Sequence, residues 1–195
     1  MKKSLLILLV FLISFKATAC SCKWGGNFLR IAIYSELIIK GKVIEHVYHT
    51  EDGKRYKNQE EFAQAQLNND FDEYYGTGES IRVEIIELIK GTEKRKIIEI
   101  FDSDGADCRM DVGGFESGKT YIFGIYKPKR TGVKLPNETE NDYAIMGCYE
   151  STLEYNSQTN QVYGLIKGKT YRRKKINYSY EKLIRKITKH NKVYN

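Results

Sequence analysis

The sequence predicts a mainly β protein, built as an antiparallel barrel or sandwich, and three observations lead there. Five runs of β-branched and aromatic residues are separated by Gly, Asp or Asn, a pattern typical of strands. Little helical periodicity lies between these runs. The chain has 195 residues, of which 41% are apolar, so it suffices for one domain with a single core. This composition excludes an intrinsically disordered or fibrous protein.

The five predicted strands partly alternate between apolar and polar residues. They are Glu36–Tyr48, Ser80–Lys90, Lys96–Phe101, Lys119–Tyr126 and Asp142–Met146. Two flanking helices are also expected. These are Asn27–Tyr34 and Gln59–Leu67, the second of which lies inside a long polar insertion, Thr50–Glu79.

Residues 1–19 are predicted to be a secretory signal peptide. Lys2 and Lys3 precede the apolar run Leu5–Phe15, and Ala17–Ala19 forms a small-x-small cleavage site. The run is too short to span a bilayer, which requires roughly 20 residues. Cleavage there would make Cys20 the first residue. Export predicts a secreted, periplasmic or cell-surface protein whose cysteines meet an oxidising compartment.

Positive charge is concentrated at the end of the chain, in a basic extension over residues 151–195. Lys167–Asn195 holds eleven Lys and Arg against one Glu, a net charge of 11 − 1 = +10, whereas Cys20–Ile166 holds 18 against 24 acidic residues, 18 − 24 = −6. A helix is expected near residues 179–190, with Ser179 as its N-cap. Its apolar residues recur at helical spacing, namely Tyr180, Leu183, Ile184 and Ile187.

The basic extension also supplies a candidate binding surface. Arg172, Arg173, Lys174 and Lys175 form a cluster suited to an acidic polysaccharide or an anionic envelope surface. Nucleic acid is not an expected partner, because the protein is predicted to be exported. The alternative is that the apolar face of the helix packs on the body while its lysines are simply solvated.

Four cysteines, Cys20, Cys22, Cys108 and Cys148, allow three disulfide pairings. A Cys20–Cys22 bridge is disfavoured, because an extended chain separates residues two apart by roughly 6.5 Å, near the upper limit for a disulfide. Each is therefore expected to bond a distant cysteine, and the residues leave both such arrangements open. In an extended segment the two cysteines would face the body while Ser21 faces outward.

Several short motifs follow one another in an order that resembles a known family. Cys20-Ser21-Cys22 is followed by Leu37-Ile-Ile-Lys-Gly-Lys-Val43, by Val83-Glu-Ile-Ile-Glu-Leu-Ile-Lys-Gly91, by Cys108 with Asp111–Gly124, and by Cys148. This order resembles the amino-terminal domain of tissue inhibitors of metalloproteinases (TIMPs), which belongs to the netrin-like modules. The resemblance covers residues 20–150. It implies an OB-fold, a five-stranded antiparallel barrel, with disulfides Cys20–Cys108 and Cys22–Cys148.

The resemblance also implies a function. In these inhibitors the α-amino group and carbonyl of the first cysteine bind the catalytic zinc of a metalloprotease, and the next side chain enters the adjoining pocket. These roles fall on Cys20 and Ser21, with Cys22 and Lys23 completing the target-binding segment. A catalytic zinc keeps an open coordination position that such a group can fill. The protein would hold no metal or cofactor of its own.

An alternative is an envelope-associated surface protein whose barrel binds glycans or other proteins. Residues 17–20, Ala-Thr-Ala-Cys, form a weak match to a lipid-attachment signal, and a lipid at Cys20 would block the amine. Neither a nucleophile–base pair nor paired carboxylates nor a cofactor loop marks the sequence, so we do not expect an enzyme.

The remaining polar residues favour ordinary structural roles. His46, His49 and His190 lack metal-binding spacing, which indicates surface histidines. Asp102, Asp104 and Asp107 lie just before Cys108, where they form either an ion site or a turn.

Overall fold

The computed structural model describes residues 23–68, 77–103, 107–128, 134–167 and 174–194. It is mainly β, as the sequence predicts, with nine strands in one sheet and three helices in the described ranges. In chain order the elements are α1 (Phe28–Ile31), β1 (Leu37–Thr50), β2 (Arg55–Tyr56), α2 (Gln59–Leu67), β3 (Thr77–Lys90), β4 (Ile97–Phe101), β5 (Thr120–Tyr126), β6 (Tyr143–Ile145), β7 (Thr152–Asn156), β8 (Gln161–Gly164), β9 (Ile176–Ser179) and α3 (Tyr180–Tyr194).

The five strands predicted from the sequence are confirmed as β1, β3, β4, β5 and β6. Both flanking helices are confirmed as well, and each begins with an asparagine cap. Asn27 Oδ1 accepts a hydrogen bond from the Arg30 N–H, at 3.3 Å, and Asn58 Oδ1 accepts one from the Glu61 N–H, at 2.8 Å. Such caps satisfy backbone donors that have no partner inside the helix.

Each of these five strands pairs with two others of the set. β1 is antiparallel to β3 and to β5, β3 is antiparallel to β4, and β5 is antiparallel to β6. The pairing of β4 with β6 is parallel. β1 is long enough to pair with two strands: residues 38–50 pair with β3, and residues 37–42 also pair with β5. Three register shifts interrupt the pairing of β1 with β3. Such shifts bend a strand and increase its twist.

The sheet continues beyond β5 through strands that the sequence analysis did not predict. β7 pairs with β5, β8 with β7, and β9 with β8, all antiparallel. These strands are four or five residues long. The β7–β8 turn is closed by Asn156 Oδ1, which accepts hydrogen bonds from the N–H groups of Gln158 and Thr159. The segment after residue 151 therefore extends the same sheet.

Two buried clusters lie on opposite faces of β5. Tyr121, Phe123 and Ile125 point into the first cluster, with side chains from β1, β3, β4 and β6, whereas Ile122 points into the second. This is the period-two alternation of a strand covered on both faces. The second cluster is completed by α1, β7, β8 and α3.

Helix α3 closes the second cluster with its apolar face. Tyr180, Leu183 and Ile187 are buried. The Tyr180 hydroxyl donates a hydrogen bond to Glu87 on β3 at 2.8 Å, and Lys40 on β1 donates to the same carboxylate at 2.7 Å. The predicted helix is thus confirmed. In the described part of the chain, no helix combines the length and apolar character needed to cross a membrane.

Candidate functional site

The predicted target-binding segment lies only partly within the described residues. Cys20, Ser21 and Cys22 are outside them, and so is the geometry of the predicted zinc-binding group. Lys23 is exposed, and Trp24 is half-buried. The described chain therefore begins at the end of the candidate site and shows how the following residues are held.

Residues 25 and 26 are fixed to the chain that follows Cys148. The Gly25 N–H donates to the Cys148 carbonyl at 2.9 Å, and the Glu150 N–H donates to the Gly26 carbonyl at 3.1 Å. A Cβ at position 25 would lie 1.4 Å from the Tyr149 ring, so any other residue there would require this ring to move. The segment that leads out of position 22 is therefore anchored by its backbone and covered by an aromatic ring.

Cys108 and Cys148 are both disulfide-bonded, and their segments lie side by side. The Gly147 N–H donates to the Cys108 carbonyl at 2.8 Å, and an isolated antiparallel bridge joins Arg109 to Met146. The predicted partners, Cys20 and Cys22, lie outside the described residues, so the pairings Cys20–Cys108 and Cys22–Cys148 stay predictions. Segments 23–26, 108–109 and 146–150 nevertheless meet at one edge of the molecule, which we call the amino-terminal edge.

A largely buried ion network supports this edge. Arg109, with only 7% of its side chain exposed, pairs with Asp107 and donates to Glu138 at 2.8 Å, whose side chain is 4% exposed. The Leu135 N–H donates to the other Glu138 oxygen at 3.1 Å. Burial opposes the charged form of Arg109, but the two carboxylates prevail and raise its pKa. Arg109 and Glu138 were not predicted as site residues, because they are 29 residues apart and no local pattern links them.

Backbone N–H groups on both sides of residues 104–106 donate to Asp102. Its carboxylate accepts from the N–H groups of Ser103, at 2.6 Å, and Val112, at 3.1 Å. Asp107 accepts from the Ser103 hydroxyl and the Arg109 N–H, while Asp104 lies outside the described residues. In the part of the chain that the structure describes, no three His, Cys, Asp or Glu side chains form a metal-binding group. Asp102 and Asp107 therefore bind groups of the chain itself, and whether residues 102–107 form a turn stays a prediction.

Asp102 supplies a pH-dependent prediction. Burial raises its pKa to about 6; the Ser103 and Val112 N–H groups oppose this shift, and the charges of Asp111 and Glu79 add to it. A pKa above the ordinary 3.8 means that the folded state favours the protonated form. The contribution of Asp102 to the free energy of unfolding is therefore fully present below about pH 4 and is lost as the pH rises through about 6.

We therefore expect Asp102→Asn, which keeps the acceptor oxygen, to raise the free energy of unfolding at pH 8 by about 1 kcal/mol after allowance for solvent screening, with little change at pH 4. Urea unfolding at both pH values measures this difference. Glu51→Gln, at an exposed site, is the matched control and should show no such pH dependence. A stability loss at pH 8 would contradict the prediction.

A groove of about 420 Å³ lies beside the amino-terminal edge. Gly25 and Tyr149 form one side of it, and Arg30, Tyr34 and Tyr126 lie around the rest. The Tyr34 side chain is 76% exposed. The groove therefore adjoins the anchored segment and presents aromatic rings with one cation.

Two histidines are not surface residues, which corrects the sequence interpretation. His49 is fully buried. Its Nδ1 lies 3.3 Å from Asn137 Nδ2, a donor, and its Nε2 lies 2.8 Å from Ser80 Oγ. Ser80 itself donates to Glu99 at 2.6 Å, and the same His49 Nε2 also lies 3.3 Å from Glu99 Oε1. His49 and Ser80, both fully buried, therefore belong to a hydrogen-bonded network in the core.

Glu99 completes the buried network around His49. Although burial disfavours its charged form, hydrogen bonds from His49, Ser80 and Arg55 hold its pKa at about 2. His46 is half-buried and has acceptors at both ring nitrogens, Glu79 Oε1 and the Phe115 carbonyl, each at 2.6 Å. The side chain of His190 is not described.

The predicted polyanion cluster is likewise divided. Arg172 and Arg173 lie outside the described residues, whereas Lys174 and Lys175 are exposed, with Lys175 Nζ 5.9 Å from the centroid of the Tyr163 ring.

No family model, curated protein or solved structure matches the chain.

Proposed function

We propose that this is an exported binding protein whose first residues, after removal of a signal peptide, dock on a partner from an OB-type barrel. The pairings of β1, β3, β4, β6 and β5 support such a barrel, because following them from β1 returns to β1. The single parallel pair, β4 with β6, is compatible with a small closed barrel of otherwise antiparallel strands.

The observation that carries the proposal is the anchoring of residues 25 and 26 beside Cys108 and Cys148. Both cysteines are disulfide-bonded, and the backbone of the anchored segment is hydrogen-bonded to residues 148 and 150. A segment that is rigid before binding loses little conformational entropy when a partner captures it. This is the property that a docking terminus needs.

The partner we propose is a zinc metalloprotease. The α-amino group and carbonyl of Cys20 would occupy the open position of its catalytic zinc, with Ser21 in the adjoining pocket. Cys22 would hold the segment against the body, and Lys23 would contact the rim of the protease site. An α-amino group loses its proton readily when a metal competes for its lone pair.

The decisive experiment compares the chain that begins at Cys20 with one carrying a single added alanine ahead of it. Both are assayed against a panel of zinc metalloproteases. We expect the added residue to weaken inhibition by more than about tenfold, because a metal–ligand interaction is lost. Equal thermal unfolding of the two chains is the control for folding. Equal inhibition constants, or no inhibition by the unextended chain, would overturn the proposal.

Intact mass of the exported protein tests the same site independently. We expect a chain that begins at an unmodified Cys20 and contains two disulfides. An acylated Cys20 would end the chelation proposal and favour a lipid-anchored surface protein instead.

A further inference from the structure

Helix α3 carries four cations on its solvent side. Lys182, Arg185, Lys186 and Lys189 are exposed, whereas Leu183 and Ile187 are buried. At 3.6 residues per turn, these four cations fall within an arc of about 100° on the side opposite the buried residues. We call them the α3 stripe.

The stripe is not neutralised by neighbouring acids. No ion pair joins its four members to an acidic residue in the described ranges, although Lys40, Lys54 and Lys119 all form such pairs elsewhere. Glu181 is the only acidic residue of the helix. Lys182 lies four residues before Lys186, and like charges at this spacing repel each other and destabilise a helix. An anion laid along the stripe would remove this repulsion.

A further cation extends the stripe onto the sheet. Lys167 Nζ lies 5.6 Å from the centroid of the Tyr178 ring, and Lys186 Nζ lies 5.9 Å from the same centroid. Two ammonium groups that share one ring are held near each other, and the ring orients both. The positive surface therefore runs from the helix across the end of β9.

The packing of α3 selects among classes of polyanion. A helix that lies in a membrane interface buries its apolar face in lipid, but here that face is occupied by the second cluster. Binding to single-stranded nucleic acid relies on exposed aromatic rings. The exposed residues between 180 and 189 are cations, Glu181 and Thr188, and the nearby Tyr178 ring is half-buried and lies against Lys167 and Lys186. The feature of α3 that is left for a polyanion to bind is therefore its row of exposed positive charges.

From these observations we propose that the α3 stripe, with Lys167, binds a linear acidic polysaccharide. None of these five cations belongs to the amino-terminal edge, and their proposed role does not depend on protease inhibition. Exposed lysine and arginine groups would contact successive sulfate or carboxylate groups. Binding would weaken steeply with salt, because counterions released from the polysaccharide drive it.

The test uses the full exported chain and heparin as the probe. Variant one replaces Lys182, Arg185, Lys186 and Lys189 by Gln. The matched control replaces four exposed lysines elsewhere by Gln, namely Lys42, Lys57, Lys94 and Lys96, so that both variants lose four charges. We expect variant one to bind heparin at least about tenfold more weakly than the wild type in 50 mM salt. The slope of the logarithm of the binding constant against the logarithm of the salt concentration should fall in magnitude by about 3, at roughly 0.7 per neutralised charge. The control should stay close to wild type.

Three outcomes would overturn the proposal. One is an equal loss in both variants, which would mean that net charge alone decides binding. A second is tighter binding of a single-stranded oligothymidylate than of heparin, and the third is tighter binding of vesicles containing an anionic phospholipid. Circular dichroism of both variants checks folding. If the helix content of variant one falls, the double variant Lys182→Gln/Lys186→Gln replaces it, with a smaller expected loss of heparin affinity.

Discussion

Replacing Arg109 by methionine is expected to lower the free energy of unfolding by about 3–5 kcal/mol, because the change leaves a buried carboxylate without its counter-charge. Glu138 has only 4% of its side chain exposed and receives a hydrogen bond from Arg109 at 2.8 Å. Methionine has a similar length but neither charge nor donors. Guanidinium unfolding under non-reducing conditions measures the loss.

A second substitution separates the ion network from simple packing. In the double variant Arg109→Met/Glu138→Leu the deeply buried carboxylate is gone, and Asp107, with 30% of its side chain exposed, can be solvated. We therefore expect part of the lost stability to return, although the Leu135 N–H loses its acceptor. Contacting residues of one network are not additive, and the double-mutant cycle should show a coupling of the order of 1–3 kcal/mol. A loss below about 1 kcal/mol for Arg109→Met alone would mean that water reaches Glu138 easily.

The Leu183→Ala variant is expected to lose about 2–5 kcal/mol, because it opens a cavity where α3 packs on the sheet. Leu183 is fully buried in the second cluster. If α3 and the five predicted strands fold as one unit, the whole protein should unfold at lower denaturant in a single transition. Far-ultraviolet circular dichroism and tyrosine fluorescence should therefore give the same midpoint.

The neighbouring Lys182→Ala variant is the matched control for this experiment. Lys182 is exposed on the same helix, so its replacement should change stability by no more than about 0.5 kcal/mol. Two separate transitions for Leu183→Ala, with the helix signal lost first, would contradict the prediction. That result would make α3 an appendage of the body.

The amino-terminal edge was only partly predictable. Cys108, Cys148 and Lys23 were identified from their spacing and from a family resemblance. The contact of Gly25 with the Tyr149 ring was not, and neither was the pairing of Arg109 with Glu138. Both join residues far apart in the chain, and no short window of sequence contains the two partners. The α3 stripe, in contrast, lies within one short segment, and its spacings of three and four residues are visible in the sequence.

The long strands and the three helices could be read from local patterns, because alternation, β-branched residues and asparagine caps act within a few residues. Strands β7, β8 and β9 could not, since four or five residues form a strand only when a neighbouring strand supplies their hydrogen bonds. His49 was predicted to be a surface residue, but the pairing of β1 with β3 buries it. Its burial beside Ser80 depends on the register of β1 against β3, and a shift of one residue would turn its side chain to the other face of the sheet.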